Sequence, residues 1–173
     1  MRIGILLHPY DEDKPAGLGR TILGFVTGML ESDKNNEYII FVKKKPRKNP
    51  NLPGKNWTLH VLGEGFFWLD RMRHAPFADV YVFHTPVMPF FWRPPKSIVI
   101  ALDFAYQYLP AEDTHTFLKN KILGWYHGRS LKRADHIVSI SQTTKEEIMK
   151  LNGIAEKKIS VVYMGFDSIC SLP

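Results

Sequence analysis

Apolar residues gather in seven short runs, at about 2–8, 37–43, 57–62, 79–84, 97–102, 135–140 and 158–163. Most are continuous and rich in Val, Ile and Leu, with little of the alternation of a half-exposed strand. Runs of that kind suit a parallel sheet, in which helices cover both faces and every strand residue is buried. Between the runs the period lengthens to that of a helix. Ile22, Leu23, Val26, Met29 and Leu30 recur at helical spacing within Gly19 to Asp33. Thr143 to Asn152 opens with Thr143 and Glu146 in capping-box spacing and closes at Gly153. A third helix is predicted over much of Glu112 to Arg133, with Leu118, Ile122 and Trp125 on one stripe. Strands alternating with helices require right-handed crossovers. The predicted fold is therefore α/β: an open, mostly parallel Rossmann-like sheet of about seven strands with helices on both faces. Ligands bind such sheets outside the carboxyl ends of the strands, which directs attention to His8 to Gly19, His84 to Pro95, Asp103 to Pro110, and Ser141-Gln142.

Composition changes this picture little. The 173 residues are 45% hydrophobic and 23% charged, as expected of one folded domain with a sizeable core. The longest apolar runs, such as Ile98 to Leu102, fall far short of the ~18 residues that cross a bilayer. The first run breaks at His8-Pro9, too early for a signal peptide. A lone cysteine, Cys170, cannot form an internal disulfide and is compatible with a reducing cytoplasm.

Charge adds more. A net charge of +6 favours an anionic partner: nucleic acid, a phosphate-bearing ligand or an acidic membrane surface. The densest cluster, Lys43 to Lys48, runs into Asn49-Pro50-Asn51-Leu52-Pro53-Gly54, and that composition reads as a solvated loop rather than a nucleic-acid surface. Aromatic residues and cations also coincide, in Phe66-Phe67-Trp68 with Arg71 and Arg73 and in Phe90-Phe91-Trp92-Arg93. Rings beside cations suit a membrane interface or a lipid-linked ligand, and a helix packed on the sheet accounts equally well for Phe66 to Phe77. In the third helix Lys119, Lys121, Arg129, Lys132 and Arg133 are not segregated from the apolar stripe, which weakens an amphipathic anchor.

The first loop carries Ala16-Gly17-Leu18-Gly19-Arg20 straight into a helix. Glycines allow close backbone approach and the first helical amides carry partial positive charge, so the segment can cradle a phosphate; it can equally just shape the loop. A dinucleotide fingerprint fits poorly, because its third glycine would fall at Ile22.

The block Arg133 to Ser141, the helix from Thr143 and the turn Met164-Gly165-Phe166-Asp167 follow this Gly-rich loop and Asp103 in the order seen in family-4-like glycosyltransferases. The chain resembles their amino-terminal domain, one of two facing Rossmann-like domains in the GT-B architecture. The resemblance implies that residues 1–163 form an acceptor-binding domain and that 164–173 begin a linker to a donor domain absent from the chain. It implies a retaining transferase that moves a sugar from a nucleotide-sugar donor to a saccharide or lipid-linked acceptor. No cofactor or metal is expected, and the chain alone would be inactive. A cytoplasmic protein, with peripheral contact at the inner membrane face, fits that role.

By the same resemblance Gly17, Leu18 and Gly19 reach the donor phosphates and sugar, with Arg20 as anchor or charge, while His84, Tyr106 and Ser141 are acceptor-side candidates. Asp103 either orients an acceptor hydroxyl and takes its proton or caps the turn through Phe104-Ala105-Tyr106. Ser141 either bonds the acceptor or fastens its own turn. Three positions depart from the family pattern. Ala16 replaces a glycine, Met164 replaces an asparagine, and Leu102 stands where relatives carry a histidine. Leucine cannot hydrogen-bond a sugar hydroxyl, which leaves His84 and His8 as substitutes. A non-catalytic Rossmann-like module for a glycan or anionic ligand is the alternative.

Overall fold

A computed structural model of the chain describes residues 1–8, 17–46, 49–102, 104 and 113–165. Seven strands form one sheet: β1 (Arg2–Leu6), β2 (Glu37–Val42), β3 (Trp57–Val61), β4 (Val80–Phe83), β5 (Ser97–Ala101), β6 (His136–Ser139) and β7 (Ile159–Val161). Their order is β3-β2-β1-β4-β5-β6-β7 and every pairing is parallel. All seven apolar runs are strands, each slightly shorter than its run.

The helices α1 (Gly17–Ser32), α2 (Thr114–Arg133) and α3 (Gln142–Asn152) and a 3-10 helix (Trp68–His74) cover the sheet. On one face Ile22, Val26 and Leu30 of α1 pack against Ile5, Ile40, Val82 and Ile100. On the other, Met72 of the 3-10 helix, Leu131 of α2 and Ile148 of α3 pack against Phe41, Phe83, Val99 and Ile137. Successive strand residues such as Ile5 and Leu6 enter opposite layers, so an apolar run with no alternation is what two covered faces demand. Each such side chain contributes roughly 1.5–3 kcal/mol on full burial. Gly4 pairs with Ile39 and Tyr81 in register, and a Cβ there would lie 2.8 Å from the Phe41 ring. Its missing side chain lets the Phe41 and Tyr81 rings stack across β1, with centroids 6.1 Å apart.

Two details differ from the sequence-based expectation. The cap of α3 is Ser141, not Thr143: its hydroxyl accepts the Thr144 amide at 3.0 Å and the helix starts at Gln142. The chain leaves β6 at Ser139 and turns at once into the helix, so capping falls two residues early. Gly153 ends the helix at φ 63°, a left-handed conformation that glycine adopts without strain. The second difference concerns α2, capped by Asp113 through the Thr116 amide at 2.6 Å. Its buried residues are His127, Ser130 and Leu131 near the carboxyl end, whereas Leu118, Ile122 and Trp125 are exposed. The apolar stripe of α2 therefore does not face the sheet.

Candidate functional site

The strand order reverses direction between β1 and β4. From β1 the chain goes through α1 to β2 on one side, and only after β3 does it return to place β4 on the other. The connections diverge there, opening a crevice beyond the carboxyl ends of the two strands. His84 follows β4 and is 1% exposed. Its Nδ1 lies 3.3 Å from the carbonyl oxygen of Leu6 at the end of β1, and its ring sits 5.9 Å from that of Phe25 in α1.

A carbonyl oxygen only accepts, so Nδ1 carries the proton in this contact. Burial pulls the imidazole down to about 4, although the Leu6 carbonyl opposes the shift, so the ring is neutral near pH 7. Nε2 then presents a lone pair, and it has no hydrogen-bond partner among the described residues. An unmet buried acceptor is costly unless a ligand or water supplies a donor.

Above this crevice α1 begins. Gly17, Leu18 and Arg20 are exposed and Gly19 is buried. No carboxylate stands in the first turn, and the Thr21 hydroxyl is turned back onto the Gly17 carbonyl at 3.0 Å; the leading amides of a helix carry partial positive charge that suits an anion. Gly17 has no atom within 4 Å of where a Cβ would be, so its value lies in open access rather than in tight packing.

Farther along the same edge, β5 and α3 are joined: the Thr144 hydroxyl donates to the Leu102 carbonyl at 3.3 Å and lies 3.0 Å from the Ser141 hydroxyl oxygen. Ser141 thus fastens its own turn. Leu102 is partly buried against the α1-side core, an apolar contact at this edge. Asp103 and Tyr106 lie outside the described residues. Of the predicted site residues, then, Gly17 to Arg20, His84 and Ser141 share the carboxyl edge. Lys43 is half-buried, with its Nζ 5.8 Å from the centroid of the Trp68 ring, while Lys44 and Lys45 are exposed.

A larger feature brings together the rings that the sequence had grouped and the apolar stripe of α2. The exposed stripe of α2 faces Phe66, Phe67 and Trp68 and the loop around Phe90 across a groove of about 660 Å³, lined also by Leu118, Ile122 and Trp125. Asp70 holds one wall by accepting the amides of Phe90, Phe91 and Trp92. Arg129 and Arg133 hold it from α2 by donating to carbonyls of the same loop, and the Arg129 guanidinium stacks 4.4 Å from the Phe90 ring. The Tyr126 hydroxyl also donates to the Met88 carbonyl, and burial, with the Asp70 charge, raises that phenol to about 12. The groove joins the crevice at its wall, because the Trp68 ring meets His8 at 4.9 Å, just past the end of β1. The rings and the α2 stripe stood out in the sequence, whereas Asp70, which holds the loop, did not.

Among the described residues no group of three or more His, Cys, Asp or Glu side chains could hold a metal ion, and no helix is long and apolar enough to cross a membrane.

A family model described as Glycosyltransferase Family 4 matches residues 58–168, which run from β3 past β7 and include the groove, α2 and the Ser141 cap. No curated protein matches the chain.

Proposed function

The chain belongs to glycosyltransferase family 4, and on that premise we propose that it forms the acceptor side of a retaining enzyme of the two-domain GT-B kind. A sugar passes from a nucleotide-sugar donor to a saccharide or lipid-linked acceptor. The donor nucleotide is held by a second Rossmann-like domain, and these 173 residues alone are inactive. The acceptor hydroxyl oxygen bonds to the anomeric carbon as the bond from that carbon to the donor phosphate breaks. Negative charge grows on the departing phosphate, and the leading amides of α1, from Gly17 to Gly19, supply fixed partial positive charge for it. Arg20, exposed on the first turn, adds a full charge. Asp103, by its place after β5, is assigned to orient the acceptor hydroxyl and take its proton. Tyr106 is assigned to acceptor contact, and Ser141, through its cap on α3, to holding the acceptor-side edge.

The observation that carries the reading is the neutral Nε2 of His84, which has no partner among the described residues, at the switch point between β1 and β4. It can accept a hydrogen bond from an acceptor hydroxyl, which Leu102 cannot. The test is a transfer assay on the polypeptide that carries this chain, with nucleotide sugars, candidate acceptors and product anomers resolved by NMR. His84→Phe keeps the ring buried and removes the acceptor atom. Loss of one hydrogen bond raises acceptor KM about tenfold and leaves donor KM unchanged. An inverted product overturns retention, and unchanged acceptor KM removes His84 from the site.

Leu102 favours a second reading. Its apolar packing at the edge suits a module that binds a glycan or anionic ligand without catalysis. Saccharide binding in NMR titrations, with no transfer from any nucleotide sugar, selects that reading.

A further inference from the structure

The groove beside α2 is lined mainly by apolar side chains. Its rim exposes large apolar side chains to water: Phe66 at 91%, Trp125 at 60%, and Leu118 and Ile122 at 58% each. These belong to one continuous surface with Phe67 and Phe90, whose rings lie 6.0 Å apart. Contiguous apolar surface of this kind marks an interaction site.

Charge narrows the partner. The three segments that frame the groove, 65–77, 86–96 and 114–133, hold nine Lys and Arg residues and one carboxylate, Asp70, whereas the whole chain has a net charge of +6. That carboxylate is held by three backbone amides, and its charge bears on Arg133. Asp113, next in the chain, is held by the Thr116 amide. Arg129 and Arg133 are turned to loop carbonyls, and Arg93 pairs with Asp135 at 3.3 Å. Lys119 lines the groove itself, and Lys121 lies over the Phe117 ring at 5.4 Å. Rings and aliphatic tips flanked by lysines match the layered chemistry of a bilayer surface, apolar below and anionic above.

We infer that this groove and its lysine flank are a docking surface for an anionic phospholipid bilayer. The surface lies on the side of the sheet where strands end, because most lining residues of α2 are in its first half and the other walls follow β3 and β4. Trp68, shared between the groove and the His8 contact, ties it to the switch-point crevice. A docked domain therefore brings the crevice to the membrane surface, within reach of a lipid-borne substrate. Docking does not depend on the transfer reaction and is tested without it.

The experiment is co-sedimentation of the 173-residue chain with vesicles of phosphatidylcholine alone or mixed with phosphatidylglycerol, at low and high salt. Binding is expected to the mixed vesicles, to weaken with salt and to be slight on phosphatidylcholine alone. Replacing Lys119 and Lys121 by Ala lowers the partition coefficient roughly thirtyfold, at ~1 kcal/mol per cation. Phe66→Ser with Ile122→Ser also abolishes most binding; both sites are exposed, and thermal melts confirm that the fold is kept. Lys150→Ala with Lys157→Ala, neither of which lines the groove, changes binding little. Equal binding to both vesicle types, or none to either, overturns the inference. So does self-association in sedimentation velocity that is lost in the Phe66 and Ile122 variant, because the occupant is then a second copy.

Discussion

Asp70 and Arg133 grip one loop by its opposite polarities. The Asp70 carboxylate accepts the amide hydrogens of Phe90, Phe91 and Trp92 at 2.7 to 2.9 Å, and the Arg133 guanidinium donates to the carbonyls of Pro89, Phe90 and Trp92 at 2.8 to 3.1 Å. A loop without regular structure needs such partners, since its backbone groups have no ladder to join. Asp70→Ala removes three charge-assisted bonds and is expected to cost about 2–3 kcal/mol in urea unfolding. Asp70→Asn restores only part, because a neutral amide oxygen accepts more weakly.

Acid is expected to destabilise the protein through His84 and His127. Burial holds each imidazole at about 4, below the ordinary value of 6.5. Between those values the unfolded chain binds protons that the folded protein refuses, so stability is complete above pH 6.5 and is lost as pH falls towards 4. The loss is on the order of 3 kcal/mol per buried histidine. Urea titrations at pH 7 and 4.5 measure it, and the difference between them should shrink in His84→Phe.

Ser141→Ala removes the side-chain acceptor for the Thr144 amide and is expected to destabilise by about 1 kcal/mol. Ser141→Asp keeps a capping oxygen and places negative charge at the helix start, so it should recover most of the loss. Thermal melts of the three proteins check the order. A Ser141→Ala enzyme whose acceptor KM rises while Ser141→Asp leaves KM unchanged would mean that the cap positions the acceptor edge.

How much of this was readable in advance depends on the range of each interaction. The strands were legible because burial on both faces imposes continuous runs such as Tyr38 to Val42, a local property. The family resemblance was legible for the same reason, since its motifs are short and sequential. The α3 cap was misplaced by two residues because Ser141 and Thr143 are chemically alike, and only the turn out of β6 chooses between them. The stripe of α2 was visible in Leu118, Ile122 and Trp125, but periodicity does not say what a stripe faces. The Asp70 clasp was invisible, for its partners lie 20 to 22 positions away along a loop with no periodic signal. His84 stood out as a candidate, yet its unmet Nε2 depends on the packing of β1, β4 and α1 together.

The reversal of strand order has a kinetic corollary. His84 meets the Leu6 carbonyl across 78 positions of chain, and β4 cannot join β1 until everything between them has been made. A growing polypeptide that has released only β1, α1, β2 and β3 has β1 bare along the side that β4 will occupy, and it has no crevice. Long-range parallel pairing is slow because the closure entropy precedes the contacts that offset it. The crevice should therefore appear only after the β1, β2 and β3 half has been made, and a probe beside His84 would report the joining of β4 to β1.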